Sequence, residues 1–236
     1  VFNENLLAWV PVLYTYMDGL DAGHHQPHFR HLFHQIADYA GEWFNYFLQV
    51  MDFSSAQIKA HSQEYADIMM KLFPGSRNLS QGAYHVQHAH FVKEANEVQV
   101  GCQVHFYHSG KRLAQNGVLV PSTHREQFMH FLHIMVAKST SADQWTSIVD
   151  SIRASFPQIE GWLEWWLQPA IASMIFPAVS NVDPGLAHQV PSTTNPIEAQ
   201  HFNLHLSLDK GHDALAGVHR LYLYVKMRED QYKAVM

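Results

Sequence analysis

Apolar residues change their period along this chain, and the change limits the layer architectures open to it. Phe29, Leu32, Phe33 and Ile36 fall at i, i+3, i+4 and i+7, one face of a helix starting near His24 and stopping near Gly41. Residues 46–51 form instead a short apolar run ending at Asp52, the pattern of a buried strand. Ser54 or Ser55 can cap the next helix, whose Tyr65, Ile68, Met69 and Leu72 repeat the helical spacing before Pro74-Gly75 ends it. Residues 6–16 read as an opening strand confined by Pro11 to an edge or bulge. A further short strand at 98–102 leads into a helix over 105–115.

After Pro121 the strand signal vanishes. Phe128, Phe131, Leu132 and Met135 form one helical stripe, Trp145, Ile148, Val149 and Ile152 a second, and Ile159, Trp162, Leu163 and Trp166 a third. Residues 181–194 read as a loop, and helices over 196–208 and 213–228 close the chain. Strand and helix alternating, then helices alone, predict an α/β core with a large helical insertion.

Composition narrows the function classes. With 47% hydrophobic and 15% charged residues the chain is globular rather than disordered. Its apolar runs fall well short of the roughly 20 residues that span a bilayer. A single cysteine, Cys102, excludes an internal disulfide framework and fits a reducing compartment. Fifteen Lys and Arg against 21 Asp and Glu give net −6, which argues against bulk polyanion binding and leaves room only for a local basic groove. The chain opens at Val1 without a signal-peptide pattern and reads as an internal fragment.

Four groups of residues invite chemistry, each with a plainer alternative. Asp52 stands at a strand end, where ligands gather in α/β sheets, yet it could simply cap the following helix. Asn195 as N-cap and Pro196 at the first position put Glu198 in the third position of a helix. There it completes a capping box or projects a carboxylate into a cleft, with Ile197, His201, Leu204 and Leu208 facing the core. Cys102-x-x-His105 has metal-ligand spacing, but no second cysteine pair exists for a Cys-rich zinc site, and a buried thiol beside a helix-starting histidine is the alternative. Among the 19 histidines, His24, His28 and His31 share one helix face and His201 and His205 another, spacing that suits imidazole ligation and also arises by chance at this abundance. Trp162 and Trp166 read as core and Trp165 as near an edge.

Taken in order, these pieces resemble the catalytic core of Mutator-like DDE transposases of the fungal type. The resemblance runs through Trp9-Val-Pro-Val-Leu-Tyr with Asp18-Gly-Leu, His28-Phe29, Met51-Asp-Phe-Ser-Ser-Ala-Gln57, Gly101-Cys-Gln-Val-His105 with Ser109 and Arg112, and Thr193-Thr-Asn-Pro-Ile-Glu198 with His201. It implies an RNase H-like mixed sheet with its first strand missing: a core over 1–120, a helical insertion over 121–190, and C-terminal core helices over 191–236. It further implies that Asp52 matches the family's second Asp and Glu198 its final Glu, both metal ligands. Cys102 and His105 match the signature pair, with Asn195 and His201 as active-site support. The implied cofactor is Mg2+ or Mn2+, two ions in an intact parent, and the implied partner is DNA at transposon ends. Location is then nuclear, without a membrane, and a homo-oligomer is compatible with the reading.

The family's first Asp has no match here; Asp18 and Asp21 follow the wrong strand. Two-metal phosphodiester chemistry clamps the attacking and leaving oxygens between ions about 3.5–4 Å apart. Losing a bridging carboxylate weakens both ions, so the chain as given is expected to be inactive, with weak, salt-sensitive DNA binding from its few basic residues. Two other readings stand beside this one: a domesticated or degenerate relic acting as a binding scaffold, and a histidine-rich helical metalloprotein using His24, His28, His31, His201 and His205.

Overall fold

A computed structural model describes residues 2, 3, 8, 9, 11, 13–15, 17–39, 49–187, 190–208 and 213–235. The chain divides into two compact units, one formed by Asp21–Thr193 and the other by Val1–Leu20 together with Thr194–Met236.

In the larger unit, α1 (Ala22–Tyr39), α2 (Ser55–Leu72) and α3 (Gln81–Glu97) pack around one apolar cluster. Phe29 and Phe33 of α1, Ile68 and Met69 of α2, and Phe91 and Ala95 of α3 meet there. Ser54 caps α2 by accepting from the Gln57 N–H at 3.4 Å, and Ser80 caps α3 by accepting from Ala83 at 3.3 Å. The chain leaves α2 through Gly75, whose φ of 88° is the left-handed conformation that glycine adopts without a side-chain clash.

This three-helix layer carries a two-stranded parallel pair, β3 (Gln49–Met51) and β4 (Gln99–Gly101). Gln49 lies opposite Gln99, Val50 opposite Val100 and Met51 opposite Gly101. Parallel neighbours need a long crossover, and α2 with α3 supplies it. Gln99 ties the strand to α2: its amide nitrogen donates to His61 Nδ1 at 3.1 Å and to Ser62 Oγ at 3.0 Å. All three side chains are buried, so each such bond matters more than its surface counterpart would.

A second cluster fills the remainder of the unit. It joins α4 (Gln103–Gln115), α5 (Arg125–Val136), α6 (Ala142–Ser155), α7 (Glu160–Leu167) and α8 (Pro169–Ile175). The three stripes expected after Pro121 are its inner faces: Phe128, Leu132, Ile152 and Leu163 are fully buried. Trp166 is core and Trp165 is 40% exposed, as their spacing suggests. Trp162 donates its indole N–H to Ser109 at 3.1 Å.

In the smaller unit, β1 (Phe2–Asn3) pairs antiparallel with β2 (Ala8–Trp9). A short α9 (Pro184–Ala187) interrupts the expected 181–194 loop in the larger unit. Beyond it, α10 (Asn195–Ser207) and α11 (Ala214–Val235) belong to the smaller unit.

The mixed sheet implied by the RNase H-like resemblance does not form among the described residues. The described residues are mostly helical, 75% of them, and their strand pairing is confined to the two short ladders. The physical reason lies in how little backbone the helices leave over. Helix α3 ends at Glu97 and α4 begins at Gln103, so β4 has three residues in which to pair. Of the strand expected over 6–16, only Ala8–Trp9 pairs; the described residues 11 and 13–15 have no ladder, and the others lie outside the described residues. Residues 46–48 also lie outside them, leaving Gln49–Met51 of that strand.

Candidate metal centre

The parallel register places the site. Met51 and Gly101 are paired, so the residues that follow them, Asp52 and Cys102, leave the carboxyl ends of neighbouring strands side by side. The Cys102 N–H donates to the Met51 carbonyl at 3.2 Å and extends the ladder by one bond. Cys102 is also the N-cap of α4, so one turn of that helix brings His105 back over it. Potential ligand atoms of Asp52, Cys102 and His105 all lie within 4.8 Å of one another. His105 Nδ1 stands 3.5 Å from Asp52 Oδ1.

Neighbouring contacts hold these groups. Phe53, next to Asp52, sets its ring edge-on against Trp165 at 5.8 Å and Trp166 at 5.0 Å, which anchors the loop between β3 and α2 on α7. The same ring lies so close to Gly101 that a Cβ there would stand 2.6 Å from it. The Cys102 thiol is fully buried and donates to Thr193 Oγ1 at 3.9 Å, while the Gln103 N–H donates to the Ser192 carbonyl at 2.9 Å. Residues 192–193 are thereby fastened to the start of α4. The Asp52 and His105 side chains keep 48% and 43% exposure, although the His105 Nδ1 atom is itself buried.

Glu198 belongs to the smaller unit. The structure corrects its position in α10. The helix begins at Asn195 with Thr194 as N-cap, so Pro196 is second and Glu198 fourth. The Thr194 carbonyl already accepts the Glu198 N–H at 3.0 Å, which makes Thr194 rather than Asn195 the half-helical residue. No capping box closes; the Thr194 hydroxyl instead donates to Glu198 Oε1 at 2.9 Å and orients the carboxylate. Asn195 and His201 are exposed on the same helix, and Ile197, expected to face a core, is 56% exposed.

The histidine clusters do not become ligand sets. Among the described residues, none of His24, His28, His31, His201 and His205 joins a group of three or more potential ligands. His24 instead pairs with Asp21 at 2.8 Å, and His28 sets its ring against Phe29 at 5.2 Å. Burial, and then the charges of His25 and His31, push the His28 imidazole below its ordinary value.

Sequence reasoning singled out Asp52, Cys102 and His105 but missed the contacts that seat them, Phe53 on the tryptophans and Thr193 on the thiol. A Phe directly after a candidate carboxylate, and a second Thr before the Asn-Pro, were the only signals available.

The donors differ in kind. Carboxylate oxygens from Asp52 and Glu198 suit Mg2+ or Mn2+, whereas the sulfur and imidazole of Cys102 and His105 do not suit Mg2+. No described helix is long and apolar enough to cross a membrane. No family model matches the chain, and comparison with curated proteins and with solved structures returns no match.

Proposed function

We propose that this chain carries part of a divalent-metal centre for cutting and joining DNA strands, of the kind used by Mutator-like DDE transposases. Asp52 and Glu198 are its carboxylate ligands, and Cys102 with His105 supports the loop that presents Asp52. One observation carries the reading. The candidate Asp and the Cys-x-x-His pair, remote in sequence, meet at the carboxyl ends of two paired parallel strands. Glu198 enters as the second carboxylate through the resemblance of Thr193-Thr-Asn-Pro-Ile-Glu198 to the segment carrying the family's final Glu. Within the smaller unit the Thr194 hydroxyl donates to the Glu198 carboxylate and orients it.

Bound Mg2+ or Mn2+ would supply Lewis-acid activation of a phosphodiester. The chain's own part is to present two carboxylate oxygens from rigid element ends, one just past a strand and one in the first turns of a helix. DNA at transposon ends, a nuclear location and a homo-oligomer follow from the same reading. No residue in this sequence takes the role of the family's first Asp, so cation binding without strand cleavage is expected of it.

Titration with Mn2+, read by calorimetry, tests the proposal. Asp52→Asn and Glu198→Gln should each weaken Mn2+ binding by about tenfold, because each removes a charged oxygen ligand. Plasmid DNA incubated with Mn2+ and the protein should stay supercoiled. Equal Mn2+ affinity in the wild type and both variants would overturn the proposal.

A further inference from the structure

We infer that Asp52, Cys102 and His105 form a three-ligand site for a borderline-soft divalent cation, of which Zn2+ is the natural occupant. The inference uses side chains of the larger unit alone and requires neither Glu198 nor the DNA reading. A carboxylate oxygen, a thiol sulfur and an imidazole nitrogen are the three donor types that zinc accepts, and a zinc site with three protein ligands keeps its fourth position open.

One of the donor spacings can be set beside metal geometry. Donors bound to Zn2+ at about 2.0–2.2 Å and separated by a tetrahedral angle lie about 3.4 Å apart. Adjacent donors in a Mg2+ octahedron, at about 2.0–2.1 Å, lie only about 2.9 Å apart. His105 Nδ1 and Asp52 Oδ1 stand 3.5 Å apart, compatible with the tetrahedral spacing, and the sulfur lies within 4.8 Å of both. Sulfur adds a second preference, since a thiolate binds zinc far better than it binds magnesium.

The three donors are held by ordered elements. Asp52 and Cys102 leave hydrogen-bonded strands, and His105 sits in the first turn of α4. When the metal binds, the Cys102 thiol loses its proton to solvent. The rotatable Thr193 hydroxyl, 3.9 Å from the sulfur, can then reverse and donate to the thiolate, which fixes its orientation. Zinc held here occupies Asp52 and excludes Mg2+ or Mn2+ from that carboxylate, so zinc should compete with those ions.

Cobalt(II) is the probe, because it replaces zinc and reports sulfur ligation as a near-ultraviolet charge-transfer band. Wild-type protein should show that band with one equivalent of Co2+ and lose it on adding Zn2+. The band should vanish in Cys102→Ser, and His105→Gln should weaken Co2+ binding by roughly tenfold or more, since even outer partners of metal ligands are worth about 10–100-fold. Glu198→Gln should leave the band intact while weakening Mn2+ binding, which separates this inference from the proposed function. Circular dichroism checks that each variant folds; if Cys102→Ser does not, the wild-type spectrum and His105→Gln decide. Wild-type protein that binds no Co2+, or binds it without the charge-transfer band, overturns the inference.

Discussion

At the residue scale, the clearest surprise is how the histidines are spent. His61 is wholly buried, with the rings of Phe29 and Phe33 edge-on at 5.4 and 5.2 Å and Gln99 donating to Nδ1. Nothing in its local sequence distinguishes it from the exposed histidines of α3, because burial depends on partners from α1 and β4. His28 has a thermodynamic consequence. Its folded-state pKa lies below the ordinary 6.5, so the unfolded chain takes up the proton first as pH falls. Its neutral form therefore contributes stability that is present above about pH 6.5 and declines below it. Denaturant unfolding at about pH 7.5 and about pH 5.5 should show lower stability at the acid value, with a smaller loss in His28→Gln. An equal loss in the two proteins would contradict the assignment.

At the element scale, helices were legible and sheet was not. The i, i+3, i+4 stripes of α1, α2, α5, α6 and α7 are long enough to exclude other periods, and each lies on a buried face except at Leu72 of α2, which is 45% exposed. Helix α3 shows no such stripe: only Phe91 and Ala95 are buried, and it presents most of its surface to solvent. The strand segments are too short to separate a sheet interior from two paired stubs, and that ambiguity let the resemblance fill in a mixed sheet. Bringing Asp52 beside Cys102 needs only Met51 beside Gly101, a register that two stubs can hold. Packing between elements is close at Gly110 of α4, where a Cβ would run into the Leu132 side chain of α5 and lie 3.7 Å from Trp162. Alanine is worth about 1 kcal/mol more than glycine inside a helix, whereas overpacking a core costs about 1–3 kcal/mol. Leu132 is fully buried and has little room to yield, so overpacking should win. Gly110→Ala should lower the urea midpoint, and a raised midpoint would show that Leu132 can move aside.

At the scale of the whole molecule, the described apolar side chains of the two units differ in burial. Both apolar clusters lie in Asp21–Thr193, whereas α10 and α11 keep large apolar side chains exposed, among them Phe202 at 64%, Leu206 at 71% and Leu215 at 81%. The larger unit thus provides the rigid frame for Asp52, Cys102 and His105, and the smaller unit carries Glu198 on the helix that follows directly from Thr194. The candidate carboxylates and the Cys-x-x-His pair were readable from residue order. The grouping of Asp52 with that pair was not, because it depends on a strand register set by two helices of intervening chain. Anomalous diffraction from a crystal soaked in Mn2+ locates the bound ion without relying on activity. A manganese peak within about 2.5 Å of an Asp52 carboxylate oxygen is the expected result, by the distance at which oxygen ligands hold such cations. A well-occupied peak elsewhere, with none at Asp52, would contradict the metal centre.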